Sequence, residues 1–227
     1  MRSAQIAHLF PAGTRPDEFD GTSWVGLIAF ELSEFAIRPG PVLPFVGRFP
    51  EINVRLYSVD ENGRRGVVFR SLEATRVLTV IAARATLGVP YEWARMSLQR
   101  SEGTVDYRSR RLVHGHPASH LVVRPLDEPV TDDALADFLT ARWGMHSVVR
   151  RQTRFVPNEH EPWPLHRAHL VSIDDDLLAA GGIRGLALDA PDSVLYSEGV
   201  RTRFGLPLRE AVSRRGTPGR APGAGRS

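Results

Sequence analysis

The sequence predicts a single α+β domain whose sheet is assembled from antiparallel hairpins. Three observations carry that expectation. Ile52-Asn53-Val54-Arg55-Leu56-Tyr57 alternates apolar and polar residues, the period-two mark of a strand with unlike faces. Asn62-Gly63 follows, a pair that accepts the positive φ of a tight hairpin turn, and Gly66-Val67-Val68-Phe69 supplies the returning strand. Leu72, Val77, Leu78, Ile81, Ala82 and Ala85 then recur at three- and four-residue spacing, which marks one apolar face of a helix.

In chain order, residues 1–21 carry Pro11, Gly13, Pro16 and Gly21 and read as a loop. Residues 24–32 are mostly apolar and read as a strand. Residues 38–50 are too proline-rich for a central strand and are expected to form a long ordered loop. Ser71 suits the N-cap of the following helix and Glu73 its positive end. Gly88 stops that helix and Pro90 prevents it resuming. Packed on the hairpin, the helix would cover Ile52, Val54 and Leu56. Glu51, Asn53, Arg55 and Tyr57 then share the other face, which periodicity allows to be either a solvated surface or the lining of a barrel.

Further on, residues 92–100 and 104–113 pair as a hairpin across Ser101-Glu102-Gly103, and 118–124 add a strand. Thr131 caps a helix over 132–143, with acids in its first turn and Gly144 after it. Residues 145–155 return to strand, 157–164 are irregular, 166–171 form another strand, and 174–180 a short helix ended by Gly181-Gly182. Residues 193–204 supply the last strands. The domain is expected to span 1–210, and 211–227, rich in Gly, Pro, Arg and Ser, to be a disordered tail.

Length and composition set outer limits. The 227 residues suffice for one sizeable core, and 42% hydrophobic with 24% charged residues is ordinary globular composition. Cysteine is absent, which excludes disulfides and thiolate chemistry. The first 14 residues lack a long apolar run or cleavage site, and no apolar stretch is long enough to span a membrane, so a cytoplasmic protein is expected. All 29 basic residues are arginine, with no lysine. The pI of about 9.9 therefore reflects missing groups that titrate near pH 10 more than a nucleic-acid surface; no basic stripe carries interleaved aromatics.

Several motifs resemble a YqjF-like bacterial family, domain of unknown function 2071. They are Trp24-Val25-Gly26-Leu27-Ile28, Phe49-Pro50-Glu51-Ile52-Asn53-Val54-Arg55, Leu87-Gly88-Val89-Pro90-Tyr91, Trp93-Ala94-Arg95-Met96, Tyr107-Arg108-Ser109-Arg110 and Pro162-Trp163-Pro164-Leu165, in that order over residues 9–209. The family is similar in fold to acetoacetate decarboxylase, which implies a closed antiparallel β-barrel with flanking helices. Members of the family begin with a further stretch before the segment matching Leu9-Phe10-Pro11. The resemblance thus implies either a start assigned too late or a barrel short of one strand. The decarboxylase's strand glutamate matches Glu51. Its Gly-aromatic-Pro turn matches Gly88-Val89-Pro90, and its two lysines fall on Tyr91 and Glu92. A Schiff base needs a primary amine. Without lysine, the lysine mechanism of decarboxylation is excluded.

On that fold the candidate site is Glu51 with Arg95, Tyr91 and Tyr107. A carboxylate beside an arginine inside a barrel orients a carbonyl or carboxylate substrate, or acts as general base once desolvation raises its pKa. A structural ion pair is the competing reading of Glu51 and Arg95, and a solvated hairpin that of Tyr107. Asn53 and Arg55 extend the polar row, and Trp24, Tyr91 and Trp93 are expected to wall the pocket. His114, His116 and His120 are interrupted by Pro117 and lack a following acid, Asp174-Asp175-Asp176 more simply opens a helix, and no metal or other cofactor is expected. The expected ligand is a small oxygenated organic molecule, a keto or hydroxy acid. Either a lysine-independent lyase or hydratase with Glu51 as base, or a non-catalytic binding or oligomer-forming barrel, would fit. Membrane and nucleic-acid partners are not expected; a homo-oligomer is suggested by analogy alone.

Overall fold

The computed structural model describes residues 1–32, 48–76, 84, 86–113, 115–186 and 190–208. The architecture is mostly β-sheet with few helices. Its centre is the hairpin of β5 (Phe49–Asp60) and β6 (Arg65–Ala74), antiparallel as the alternation and Asn62-Gly63 predict. Gly63 takes φ +76°, and Asp60 closes the turn by accepting from the Asn62 and Arg64 amides. β5 carries β4 (Val25–Leu32) on its other edge, pairing Phe30 with Glu51 and Gly26 with Arg55. The end of β5 also pairs with β1 (Thr14–Pro16). Residues 1–21 are therefore more ordered than a loop: they hold the helix Ser3–Ile6, a 3-10 turn at Ala7–Leu9, β1 and β2 (Glu18–Phe19), which pairs with β3 (Thr22–Ser23).

The sheet continues from β6 through β7 (Tyr91–Ser101), β8 (Thr104–Arg111), β9 (Ala118–Pro129), β12 (Leu165–Asp175) and β13 (Leu195–Ser197). On the other side β6 meets β10 (Gly144–Val149), then β11 (Gln152–Glu159) and β14 (Arg203–Phe204). β6 runs parallel to both β7 and β10. The twelve-stranded sheet is mixed and open. Among the described residues β13 and β14 end it without pairing to each other, and β4 is an edge. The closed antiparallel barrel expected from the family resemblance is not formed among the described residues.

Ser71 and Glu73 do not cap a helix. They lie in β6, which extends to Ala74, and both side chains join Arg111 in a buried cluster. Residues 77–83 and 85 lie outside the described residues, while Arg84 and residues 86–87 are helical. Gly88 does end that segment, at φ +65°, with its amide donating to the Arg84 carbonyl. Ile52, Val54 and Leu56 pack with Ile6, Leu9, Leu177 and Leu178, from the N-terminal turn and the helix Leu177–Ala180. Phe49 and Tyr57 face a second cluster with Leu72, Ala74, Leu87, Val89, Tyr91, Phe138 and Met145. β5 is thus buried on both faces, and its polar row is not a solvated surface.

Other boundaries shift for local reasons. Asp133, not Thr131, caps the helix Ala134–Thr140, its carboxylate accepting from the Ala136 amide at 2.9 Å. The strand expected over 145–155 is two strands, since Arg150 and Arg151 take positive φ and turn the chain. Asp174 and Asp175 belong to β12, and only Asp176 precedes the short helix. The loop expected at 38–50 and the tail at 211–227 lie mostly or wholly outside the described residues, and Pro50 is inside β5.

Candidate functional site

β4 is the wall around which the site is built. Every residue from Thr22 to Leu32 borders a cavity of about 660 Å³, which reaches across to β5, the end of β11 and the segment 190–200. Gly26 is what lets β5 approach: a Cβ there would stand 3.0 Å from the Tyr57 hydroxyl and 3.2 Å from Arg55 Cγ. Pairing fixes which side chains meet. Glu51, Asn53, Arg55 and Tyr57 alternate along one face of β5, and parallel pairing of Leu72 with Tyr91 brings the Tyr91 ring to the same face.

Glu51 is buried, and its one hydrogen bond among the described residues comes from the Tyr91 hydroxyl, which donates to Oε2 at 2.9 Å. Loss of water pushes the Glu51 carboxyl from 4.5 up to about 8, and the Tyr91 bond only partly offsets this. Burial, then the Glu51 charge, pushes the Tyr91 phenol well above its ordinary value. Tyr91, Asn53 and Arg55 border the cavity, whereas Glu51 sits behind Tyr91.

Arg95 does not accompany Glu51. It lies on β7 opposite Arg110 and is exposed, so the anticipated Glu51–Arg95 pair is absent. Trp93, 41% exposed on the same strand, is not a cavity wall either. The parallel ladder of β6 with β7 ends at Ala74–Trp93, and beyond it β7, with Arg95, pairs with β8 alone among the described residues. Trp24 and Tyr107 do border the cavity; burial raises the Tyr107 phenol. Asn53 is 3% exposed, and its Oδ1 has no hydrogen-bond partner among the described residues. Arg55 donates to the Leu139 carbonyl at 3.0 Å and to the Tyr57 hydroxyl at 3.3 Å, and lies over the Trp163 ring.

Sequence reasoning missed Arg142, Asn158 and His160 as cavity residues, and Trp163 too. Trp163 had a signal, the Pro-Trp-Pro motif. Arg142 had none, because it follows an amphipathic helix and reads as a solvated end. His114 lies outside the described residues, and His120 approaches Asp106 at 3.2 Å. Among the described residues no three His, Asp or Glu side chains are grouped as a metal site.

Comparison with known proteins places this arrangement. The family model of the uncharacterized conserved proteins DUF2071 matches residues 1–201. The chain belongs to the DUF2071 family. Within it, the chain is 30% identical over 205 residues to the uncharacterized protein YqjF of Bacillus subtilis (strain 168), covering 89% of this chain and 83% of that one. Among solved structures, an acetoacetate decarboxylase-like enzyme from Sphingomonas wittichii RW1 superposes with TM-score 0.52 at 16% identity, covering 92% and 87% of the two chains. An acetoacetate decarboxylase from Legionella pneumophila gives TM-score 0.44 at 11% identity. The DUF2071 chain thus has an acetoacetate decarboxylase-like fold with an open, mixed sheet. No helix among its described residues is long and apolar enough to cross a membrane.

Proposed function

We propose that this DUF2071 chain binds a small oxygenated organic acid, a keto or hydroxy acid, in the cavity beside β4. The observation that carries the reading is the cavity's polar lining: Asn53 and Trp24 border it, and Asn53 Oδ1 and the Trp24 indole N–H are buried with no partner among the described residues. Such atoms cost free energy unless something bonds them. The proposal takes residues 1–210 as the working unit, in the cytoplasm, with no cofactor.

Glu51 supports a catalytic version, a lysine-independent lyase or hydratase. Because Glu51 stands behind Tyr91, a ligand proton would pass to Tyr91 Oη as the phenolic proton moves to Glu51 Oε2. A carboxyl at about 8 is mostly protonated at pH 7 and becomes able to accept that proton as pH rises toward 8. The position of Glu51 outside the cavity wall equally favours a second reading, binding without turnover.

A thermal-shift screen of keto, hydroxy and simple carboxylic acids tests both. A ligand of the native state raises the melting temperature in proportion to the logarithm of its concentration at saturation. Asn53→Leu should abolish the shift. Glu51→Gln should keep it, since the side chain it replaces is mostly neutral at pH 7, yet end any consumption of the acid. A wild type that no acid in the screen stabilises refutes the cavity reading. Stabilisation without product over hours leaves the binding module and removes the enzyme.

A further inference from the structure

Among the described residues, one end of the cavity brings together two buried guanidinium groups with a single carboxylate, itself shared with a third arginine. Arg142 is 4% exposed and Arg55 is 7% exposed, and both border the cavity. Arg142 gives Nε to the Phe138 carbonyl at 2.7 Å and Nη1 to Asp17 Oδ2. The same Asp17 oxygen also takes Arg65 Nε at 2.7 Å, so one carboxylate serves two guanidinium groups. Arg55 has no carboxylate within ion-pair distance among the described residues; its partners are a carbonyl and a phenol. Tyr57 lies between the two cations, with its ring centroid 5.5 Å from Arg55 Cζ and 5.1 Å from Arg142 Cζ. A cation–π contact of this kind offsets only a small part of what burying a guanidinium costs.

Three more polar atoms at this end await a partner. Arg142 Nη2, the Trp163 indole N–H and Asn158 Oδ1 are all shielded from water and have none among the described residues. They belong together. Arg55 lies over the Trp163 ring, whose other neighbour is the His160 imidazole, and His160 Nε2 stands 3.1 Å from the Arg142 carbonyl. The Asn158 amide donates to the carbonyl of Trp143, next to Arg142.

We infer that this end of the cavity is an anion subsite, in which Arg142 Nη2 and the Trp163 N–H bind the carboxylate of the ligand, with Arg55 supplying uncompensated charge beneath it. The inference rests on the cavity reading above and sharpens it: the ligand's acid group points to Arg142 and Trp163, and its remaining atoms extend along β4 toward Asn53 and Tyr91. Two orphaned donors, one of them charged, match the two oxygens of a carboxylate and discriminate against its neutral amide.

Calorimetric titration of the full chain with butanoate, hexanoate and 2-hydroxyhexanoate, each beside its own amide, tests the subsite. Wild type should bind the acid at least tenfold more tightly than the amide. Arg142→Gln should erase that difference. Trp163→Phe keeps the ring and the Asp17 ion pair, so it folds even if the arginine variant does not. It should narrow the difference at least threefold while amide affinity stays within twofold. Equal affinity of wild type for acids and amides would overturn the subsite and leave the cavity reading standing. A preference for the acid that survives in both variants places the anion elsewhere and overturns it too. Failure of every acid and amide to bind wild type refutes the cavity reading, and the subsite with it.

Discussion

Tyr91 Oη donates to Glu51 Oε2 across 2.9 Å, a bond between two buried side chains forty positions apart that the parallel alignment of β6 with β7 creates. Among the described residues no guanidinium shares it, and lost hydration holds the carboxyl at about 8. The folded value lies above the unfolded one. Between about pH 4.5 and 8 the folded chain keeps a proton that the unfolded chain has released, so this group's contribution to stability is intact below pH 4.5 and is lost as pH rises toward 8. Glu51→Gln cannot titrate. Relative to wild type it should gain up to about 1.4 kcal/mol per pH unit through that window. Urea unfolding of both proteins at several pH values reads the gap directly, and parallel stability curves would show that Glu51 ionises normally.

Tyr91→Phe removes the Tyr91 hydrogen bond to the Glu51 carboxyl while keeping the ring in its core cluster. The Glu51 titration should move further above 8, because the bond that lowers it is gone. Loss of a buried bond to a polar group should also cost about 1–3 kcal/mol. Infrared absorption of the protonated carboxylic acid, followed against pH, measures the first effect. A midpoint that stays put or falls contradicts it.

The hairpin of β5 and β6 was legible because alternation and Asn62-Gly63 are local signals, as was the turn at Ser101-Glu102-Gly103. The nature of residues 71–74 was not. Ser71 and Glu73 carry the composition of a helix start, yet their side chains are claimed by Arg111, 38 or more residues away, and tertiary pairing overrides local preference. The cavity split the same way. Asn53, Arg55, Trp24, Tyr91 and Tyr107, singled out by strand parity and motif resemblance, border it, while Glu51 stands outside its lining. Arg95 and Trp93 could not be excluded, because nothing in a sequence tells where a parallel ladder stops. Arg142 stayed hidden because its value lies in Asp17 and Tyr57, residues remote in the chain.

Glu73 and Arg111 form a bidentate pair under 10% exposed, at 2.6 and 3.2 Å, with Ser71 bonded to both. Removing one partner strands a buried charge. Arg111→Met alone should therefore cost about 3–5 kcal/mol, whereas Arg111→Met with Glu73→Leu should recover a large part of that loss. A double-mutant cycle by chemical denaturation measures the coupling. Additive losses would mean that the two side chains do not depend on each other.

Two glycines with positive φ separate backbone strain from packing. Gly63 has φ +76° and open space around a would-be Cβ; Gly88 has φ +65°, but a Cβ there would stand 2.2 Å from the Val148 carbonyl oxygen. Gly63→Ala pays for the left-handed conformation alone and should lose about 1–2 kcal/mol. Gly88→Ala must in addition push β10 away from the start of β7, and β10 carries Met145 on the cavity wall. Its loss should exceed that of Gly63→Ala, with weaker acid binding only in the Gly88 variant. Equal losses at the two positions would show that the Gly88 segment moves freely and that its close approach to β10 does not shape the site.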